Sequence, residues 1–140
     1  MNDTLKEILS LSIEFLLLLL FSLFIITFIG QRTVVDGSSM ETTLFDKDNI
    51  IVEKISYRFN NPERFDVVVF PYKTEKHTYL IKRVIGLPGE SVRIDEDGNI
   101  YINDVILEEN YGKERINKPG LAAETITLGP DEYFVLGDNR

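Results

Sequence analysis

The chain predicts a mainly β fold of antiparallel sheets preceded by one N-terminal transmembrane α-helix. Three observations carry that expectation. Residues 8–30, ILSLSIEFLLLLLFSLFIITFIG, hold a single charge, Glu14, in 23 positions. From Asp48 onward, apolar residues recur with a period of two or run continuously, and Val, Ile, Tyr and Phe are abundant. Gly, Pro, Asn and Asp interrupt that region at short intervals, as turns between strands require.

At a helical rise of about 1.5 Å per residue, residues 8–30 would extend roughly 34 Å, enough to cross a bilayer. From Phe15 to Ile29 only Ser22 and Thr27 are polar, which leaves no hydrophilic stripe for the surface of a globular protein. The run ends in Gly30-Gln31-Arg32-Thr33 rather than at small residues of the Ala-x-Ala kind, so it is expected to remain attached as an anchor. The domain division that follows is residues 1–31 for the anchor segment and 32–140 for a β domain, about 110 residues and enough for one modest core. Lipid is therefore one expected partner. Positive charges on either side of the span do not by themselves orient it.

Strands are expected over Ile50–Lys54, Phe65–Phe70, Tyr79–Ile85, Ser91–Asp95, Asn99–Ile102 and Glu132–Leu136. Asp97-Gly98 supplies the positive φ of a tight hairpin between the fourth and fifth, and Asn103-Asp104 turns the next corner. Residues 108–123 are charged and aperiodic, and read as a long surface loop with room for one short helical turn. Gly129-Pro130-Asp131 then turns the chain into its last strand.

Composition narrows the chemistry. A formal charge of -8 with dispersed basic residues argues against nucleic acid as a partner. The absence of cysteine removes thiol catalysis and Cys-based metal sites, and a single histidine rules out a multi-histidine centre, so neither metal nor cofactor is expected. Attention falls instead on Ser38-Ser39 behind Gly37, a few residues past the anchor. A serine becomes a nucleophile only when something takes its proton. His77 sits in Lys73-Thr74-Glu75-Lys76-His77-Thr78, a charged hairpin connection, and reads as a solvated loop residue.

A lysine can act as the base if burial lowers its pKa from about 10.4. Most lysines here have charged neighbours or turn signals, but Lys82 lies inside Tyr79-Leu80-Ile81-Lys82-Arg83-Val84-Ile85, on the face of Leu80 and Val84. Alternation alone leaves two readings of it open: a desolvated base, or an edge-strand lysine that discourages unwanted pairing. Arg83 stays charged and needs an acid if it is buried, which Asp138 in Gly137-Asp138-Asn139-Arg140 can supply.

Four segments together resemble, in order and spacing, the sequence boxes of bacterial type I signal peptidases (peptidase family S26). They are Ser39-Met40 with Thr43-Leu44, Arg64 to Phe70, Lys82 to Glu90, and Gly137 to Arg140. One anchor and a small β domain look like the short Gram-positive form. The resemblance implies a signal-peptidase-like mixed β fold and a membrane-bound Ser-Lys endopeptidase. Such an enzyme cleaves signal peptides from exported preproteins, with its catalytic domain on the extracytoplasmic side of the cell membrane. By the same resemblance Ser39 would be the nucleophile and Lys82 the general base. Arg83, Asp138 and Arg140 would support them, and Met40, Leu44 and Phe45 would contact substrate or membrane.

This chain departs from the family pattern at three places. Gly37 stands where some members place a serine that donates to the oxyanion. Glu41-Thr42 replaces a usual x-Pro, putting a negative charge beside the nucleophile that would raise the pKa of Lys82 if close. The family pattern also continues past Gly-Asp-Asn-Arg with a Ser-x-Asp-Ser-Arg-like segment, so the resemblance implies that the carboxyl-terminal end is missing. Glu41-Thr42 and the missing carboxyl-terminal segment motivate an alternative, a defective or truncated relative that binds preproteins or membrane partners without cutting. A self-cleaving repressor with a related dyad is a more distant one, since it would need a DNA-binding domain.

Overall fold

The computed structural model describes residues 3–140 and is mainly antiparallel β, preceded by one long apolar helix. The first two residues of the expected anchor segment lie outside the described residues. By backbone contacts the chain divides into two units, one of residues 1–33 and 49–60, the other of residues 34–48 and 61–140.

In the first unit, α1 (Asp3–Phe24) continues into a π-helical turn over Ile25–Ile29. Together they form one N-terminal helix long and apolar enough to cross a membrane. The wider turn ends where the Gly30 N–H reaches back to the Ile25 carbonyl. Lys54 Nζ donates to the Ile26 carbonyl at 3.1 Å and to Gln31 Oε1 at 2.9 Å, supplying a donor where the helical ladder ends. Gly30–Val34 (β1) and Asn49–Glu53 (β2) pair as a two-stranded sheet. The apolar run Ile50-Ile51-Val52 within the expected strand Ile50–Lys54 foreshadowed β2, whereas β1, with Gln31, Arg32 and Thr33, shows no apolar period.

The second unit holds two further sheets. Val67–Pro71 (β3), Tyr79–Gly86 (β4) and Phe134–Leu136 (β9) form one, in the order β3-β4-β9. Ser91–Ile94 (β5), Ile100–Ile102 (β6), Val105–Ile106 (β7) and Ile126–Thr127 (β8) form the other, in the order β7-β6-β5-β8. The β5–β6 hairpin closes as its Asp-Gly signal requires: Gly98 has φ +78°, and its N–H donates to the Asp95 carbonyl at 3.0 Å. Asn103 and Asp104 both adopt positive φ, 50° and 65°, which allows β6 and β7 to turn tightly. β7 and β8 are two residues each, too short to show a period in the sequence.

The core lies under the second of these sheets. Val92 and Ile94 on β5 and Ile100 and Ile102 on β6 point to one face and pack with Ile85, Ile116, Ala122 and Leu128. Burial of each large aliphatic side chain contributes about 1.5–3 kcal/mol. Ile116 and Ala122 come from the stretch expected as a surface loop. It contains the anticipated helical turn, a 3-10 turn at Gly120–Ala123, but it is also part of the core.

Candidate active site

Each candidate residue sits where a strand or a turn forces it. Residues 37–45 form a run of turns entered by Gly37 at φ +100°, a conformation that favours glycine. The Gly37 N–H donates to Asp46 Oδ1 at 2.8 Å, and the Thr43 and Leu44 N–H groups return to the Met40 carbonyl at 2.8 and 2.9 Å. Ser39 is exposed at the outer part of this turn, while Met40 beside it is 1% exposed.

Lys82 lies on β4, the central strand of its sheet, opposite Val68 of β3. The edge-strand reading of this lysine therefore does not hold. Lys82 Nζ donates to Ser39 Oγ at 2.7 Å. The amine is half-buried, and burial lowers its pKa from the ordinary lysine value, opposed by the negative charge of Asp138. A cavity of about 670 Å³ lies against it, lined largely by apolar groups that include Phe70, Tyr72, Leu80 and Val135.

Arg83, the next residue on β4, points to the other face and is 5% exposed; Asp138 is fully buried. Arg83 Nε donates to Asp138 Oδ1 at 2.9 Å and Nη2 to Asp138 Oδ2 at 2.6 Å, a fork-to-carboxylate pairing. Its Nη2 also donates to Thr43 Oγ1 at 3.0 Å and its Nη1 to the Phe65 carbonyl at 2.8 Å. The guanidinium lies 3.8 Å from the centre of the Tyr111 ring. Thr43 Oγ1 in turn donates to Asp138 Oδ2 at 2.5 Å. Burial pushes the Asp138 carboxyl upward, but the Arg83 and Thr43 hydrogen bonds outweigh it and hold the group below the usual carboxylate range. The same pairing raises Arg83. One ion pair thus ties β4, the turn that carries Ser39 and the segment after β9 together.

Gly137 is the point of closest approach. A Cβ there would collide with the Ser39 carbonyl and come within 3.5 Å of Lys82 Nζ. Asn139 adds two hydrogen bonds, from its N–H to the Ser39 carbonyl and from Nδ2 to the Ser38 carbonyl, both 3.1 Å. Arg140 folds back, with Nε donating to the Gly137 carbonyl at 3.0 Å and Nη1 paired with Glu109.

Residues 8–140 match the signal peptidase family, peptidase S26. The chain belongs to that family. It is 44% identical over 119 residues to "Probable signal peptidase I-2" of Synechocystis, covering 81% of this chain and 53% of that relative. It is 41% identical to "Signal peptidase I" of Leptolyngbya laminosa, covering 81% of this chain and 58% of that relative. A solved signal peptidase I from Enterococcus faecalis aligns with a TM-score of 0.47 at 36% identity, covering 58% of this chain and 80% of that one. The chain thus spans between half and three-fifths of the length of the two curated relatives.

The family boxes have distinct structural roles. Arg64 and Glu90 join two of them: Arg64 Nη2 donates to Glu90 Oε1 at 2.5 Å, and its Nη1 to the Ile85 carbonyl at 2.6 Å. Phe65, at φ +74°, directs its carbonyl to Arg83. Of the three residues expected at a substrate or membrane contact, Met40 is buried and has no surface to give to lipid; Leu44 is half-buried and Phe45 is 53% exposed. His77 is exposed in the β3–β4 turn.

Glu41 does not act on Lys82 as its position in the sequence implied. Lys113 Nζ donates to Glu41 Oε2 at 2.9 Å, and the charge that bears on Lys82 is that of Asp138. Sequence reasoning missed Thr43, Tyr111, Lys113 and Asn139 as structural partners. Thr43 and Asn139 lay inside quoted motifs, while Tyr111 and Lys113 came from an aperiodic stretch that carries no such signal.

Proposed function

We propose that this chain is a membrane-anchored signal peptidase that cleaves signal peptides from exported preproteins through a Ser39–Lys82 dyad. Family membership supports the reaction class. The single observation that carries the dyad is the 2.7 Å approach to the Ser39 hydroxyl of a half-buried lysine amine whose side chain lines an apolar cavity.

When Lys82 is neutral, its lone pair accepts the Ser39 Oγ proton as Oγ bonds to the scissile carbonyl carbon. The carbonyl electron pair moves onto oxygen, where the Ser39 backbone N–H is a donor. That N–H donates to no acceptor among the described residues. A preorganised donor of this kind contributes about 3–4 kcal/mol to the transition state. Collapse breaks the C–N bond, and the proton held on Nζ goes to the leaving amine. Water then attacks the acyl ester, again losing its proton to Lys82, and Ser39 is restored. Gly37 offers no side-chain donor, so in this chain the second donor is not a hydroxyl at that position.

An extended substrate segment suits the apolar cavity beside Lys82, with small side chains in shallow pockets and the scissile carbonyl turned to Ser39. In this reading residues 1–31 anchor the chain, and residues 32–140 form the catalytic domain on the extracytoplasmic face of the membrane. Arg83, Asp138 and Arg140 hold the dyad without touching substrate, and Phe45 presents exposed apolar surface six residues after Ser39. Glu41, which motivated a non-cutting alternative, is engaged by Lys113.

The test is cleavage of a preprotein by the detergent-solubilised chain beside Ser39→Ala and Lys82→Ala versions. Both variants should lose cleavage by at least about a hundredfold. Equal cutting by all three removes the dyad, and binding without cutting by the unaltered chain establishes the alternative.

A further inference from the structure

The segment after β9 does more than supply the carboxylate for Arg83. We infer that Asn139 is a positioning residue that fixes the Ser38–Ser39 peptide plane, so that the Ser39 N–H faces the reacting carbonyl oxygen. This rests on the dyad reading above and deepens it.

The argument begins with covalent geometry. The Ser38–Ser39 peptide is trans, so its C=O and N–H point in opposite directions across one rigid plane. Asn139 Nδ2 donates to the Ser38 carbonyl at 3.1 Å, which pins one end of that plane and thereby aims the other. The next carbonyl, that of Ser39, accepts from the Asn139 backbone N–H at 3.1 Å. Two consecutive carbonyls around the nucleophile are therefore held by one residue. The amide orientation follows from its partner: turning the side chain over would set Oδ1 against the Ser38 carbonyl oxygen, acceptor against acceptor.

Asn139 can act this way because its own place is overdetermined. Asp138 before it is buried on Arg83, and the Asp138 carbonyl accepts from the Lys113 N–H at 2.7 Å. Arg140 after it is folded back on the Gly137 carbonyl. Ser39 itself is exposed on a turn, where an unbraced peptide plane would rotate readily. Loss of the side-chain bond removes the plane's restraint but leaves the backbone bond, the ion pair and the Lys82 contact in place.

Asn139→Ala and the isosteric Asn139→Asp, which puts a carboxylate oxygen against the Ser38 carbonyl, are compared in the full chain in detergent. Both should lower kcat roughly ten- to a hundredfold, part of the effect of losing an oxyanion donor outright, with KM changed no more than about threefold. Affinity for a peptide aldehyde, which forms the tetrahedral adduct, should fall in step with kcat/KM. Affinity of the uncleaved peptide, measured in a Ser39→Ala background, should not fall. Unchanged kcat in both variants overturns the inference. So does a parallel loss of uncleaved-peptide binding, which would mark a merely structural role or a failure to fold. Failure of the dyad itself is separate: it is read from cleavage by Ser39→Ala and Lys82→Ala, not from the Asn139 variants.

Discussion

Asp138→Ala should destabilise the protein far more than removal of the whole ion pair. The carboxylate is fully buried and accepts three hydrogen bonds, from Arg83 Nε at 2.9 Å, from Arg83 Nη2 at 2.6 Å and from Thr43 Oγ1 at 2.5 Å. Its removal strands a guanidinium that is 5% exposed. Breaking one side of a buried pair costs about 3–5 kcal/mol. Arg83 keeps the Phe65 carbonyl, the Thr43 hydroxyl and the face of Tyr111, which together offset about 1 kcal/mol. The expected loss is therefore about 3 kcal/mol, or roughly 10–15 °C in Tm for a domain of this size. Arg83→Met with Asp138→Leu buries no charge and should recover most of it.

The pH dependence has a definite sign. The folded pKa of Asp138 is depressed, so the stability it contributes is fully present above the ordinary value of about 3.9 and is lost as pH falls through the lower, folded value. Asp138→Ala lacks that acid limb. Urea unfolding in detergent, followed by tyrosine fluorescence, measures all three chains. A loss below about 1 kcal/mol for Asp138→Ala, or a double variant less stable than the single one, refutes the reasoning.

Three further outcomes follow from the same geometry. Because burial lowers the pKa of Lys82 and the neutral amine is the proposed base, kcat/KM should rise with pH and reach its plateau below the ordinary lysine value of about 10.4. Between the folded value and about 10.4 the unfolded chain binds more protons, so stability should also rise with pH there; Lys82→Met should flatten that slope, and an unchanged slope would count against a desolvated amine. Gly137→Ala should lower kcat by at least about a hundredfold, since the added methyl meets the Ser39 carbonyl and displaces the proposed nucleophile. Its stability should fall by only about 1–3 kcal/mol, and near-normal turnover would show that the turn tolerates the methyl group.

What the sequence made legible was local. The apolar run, the alternation of β5 and β6 and the Asp97-Gly98 hairpin each announce themselves within a few residues, because the physics that shapes them acts over that range. What it concealed was non-local. Alternation gave the face of Lys82 but not whether a strand covers each side of it; β9, some fifty residues later, decides that β4 is central. Likewise the stretch 108–123 reads as solvated loop by composition, yet it delivers Ile116 and Ala122 to the core and Tyr111 to the face of Arg83. Short polar strands such as β1 leave no period to read.

Glu41 shows why charge near a nucleophile cannot be judged along the chain alone. Two residues from Ser39, its carboxylate raises the expectation of a protonated Lys82. Across space it is matched by Lys113, whose backbone N–H is fixed on the Asp138 carbonyl at 2.7 Å. A partly exposed pair of this kind contributes at most about 1 kcal/mol to stability, so it matters more as a neutralised charge near the proposed nucleophile than as a support of the fold. The residue that departs from the family pattern therefore arrives with a compensating cation from a segment in which no motif was visible. In the folded arrangement burial lowers the pKa of Lys82, and the negative charge that opposes this shift is that of Asp138, not that of the residue two positions after Ser39.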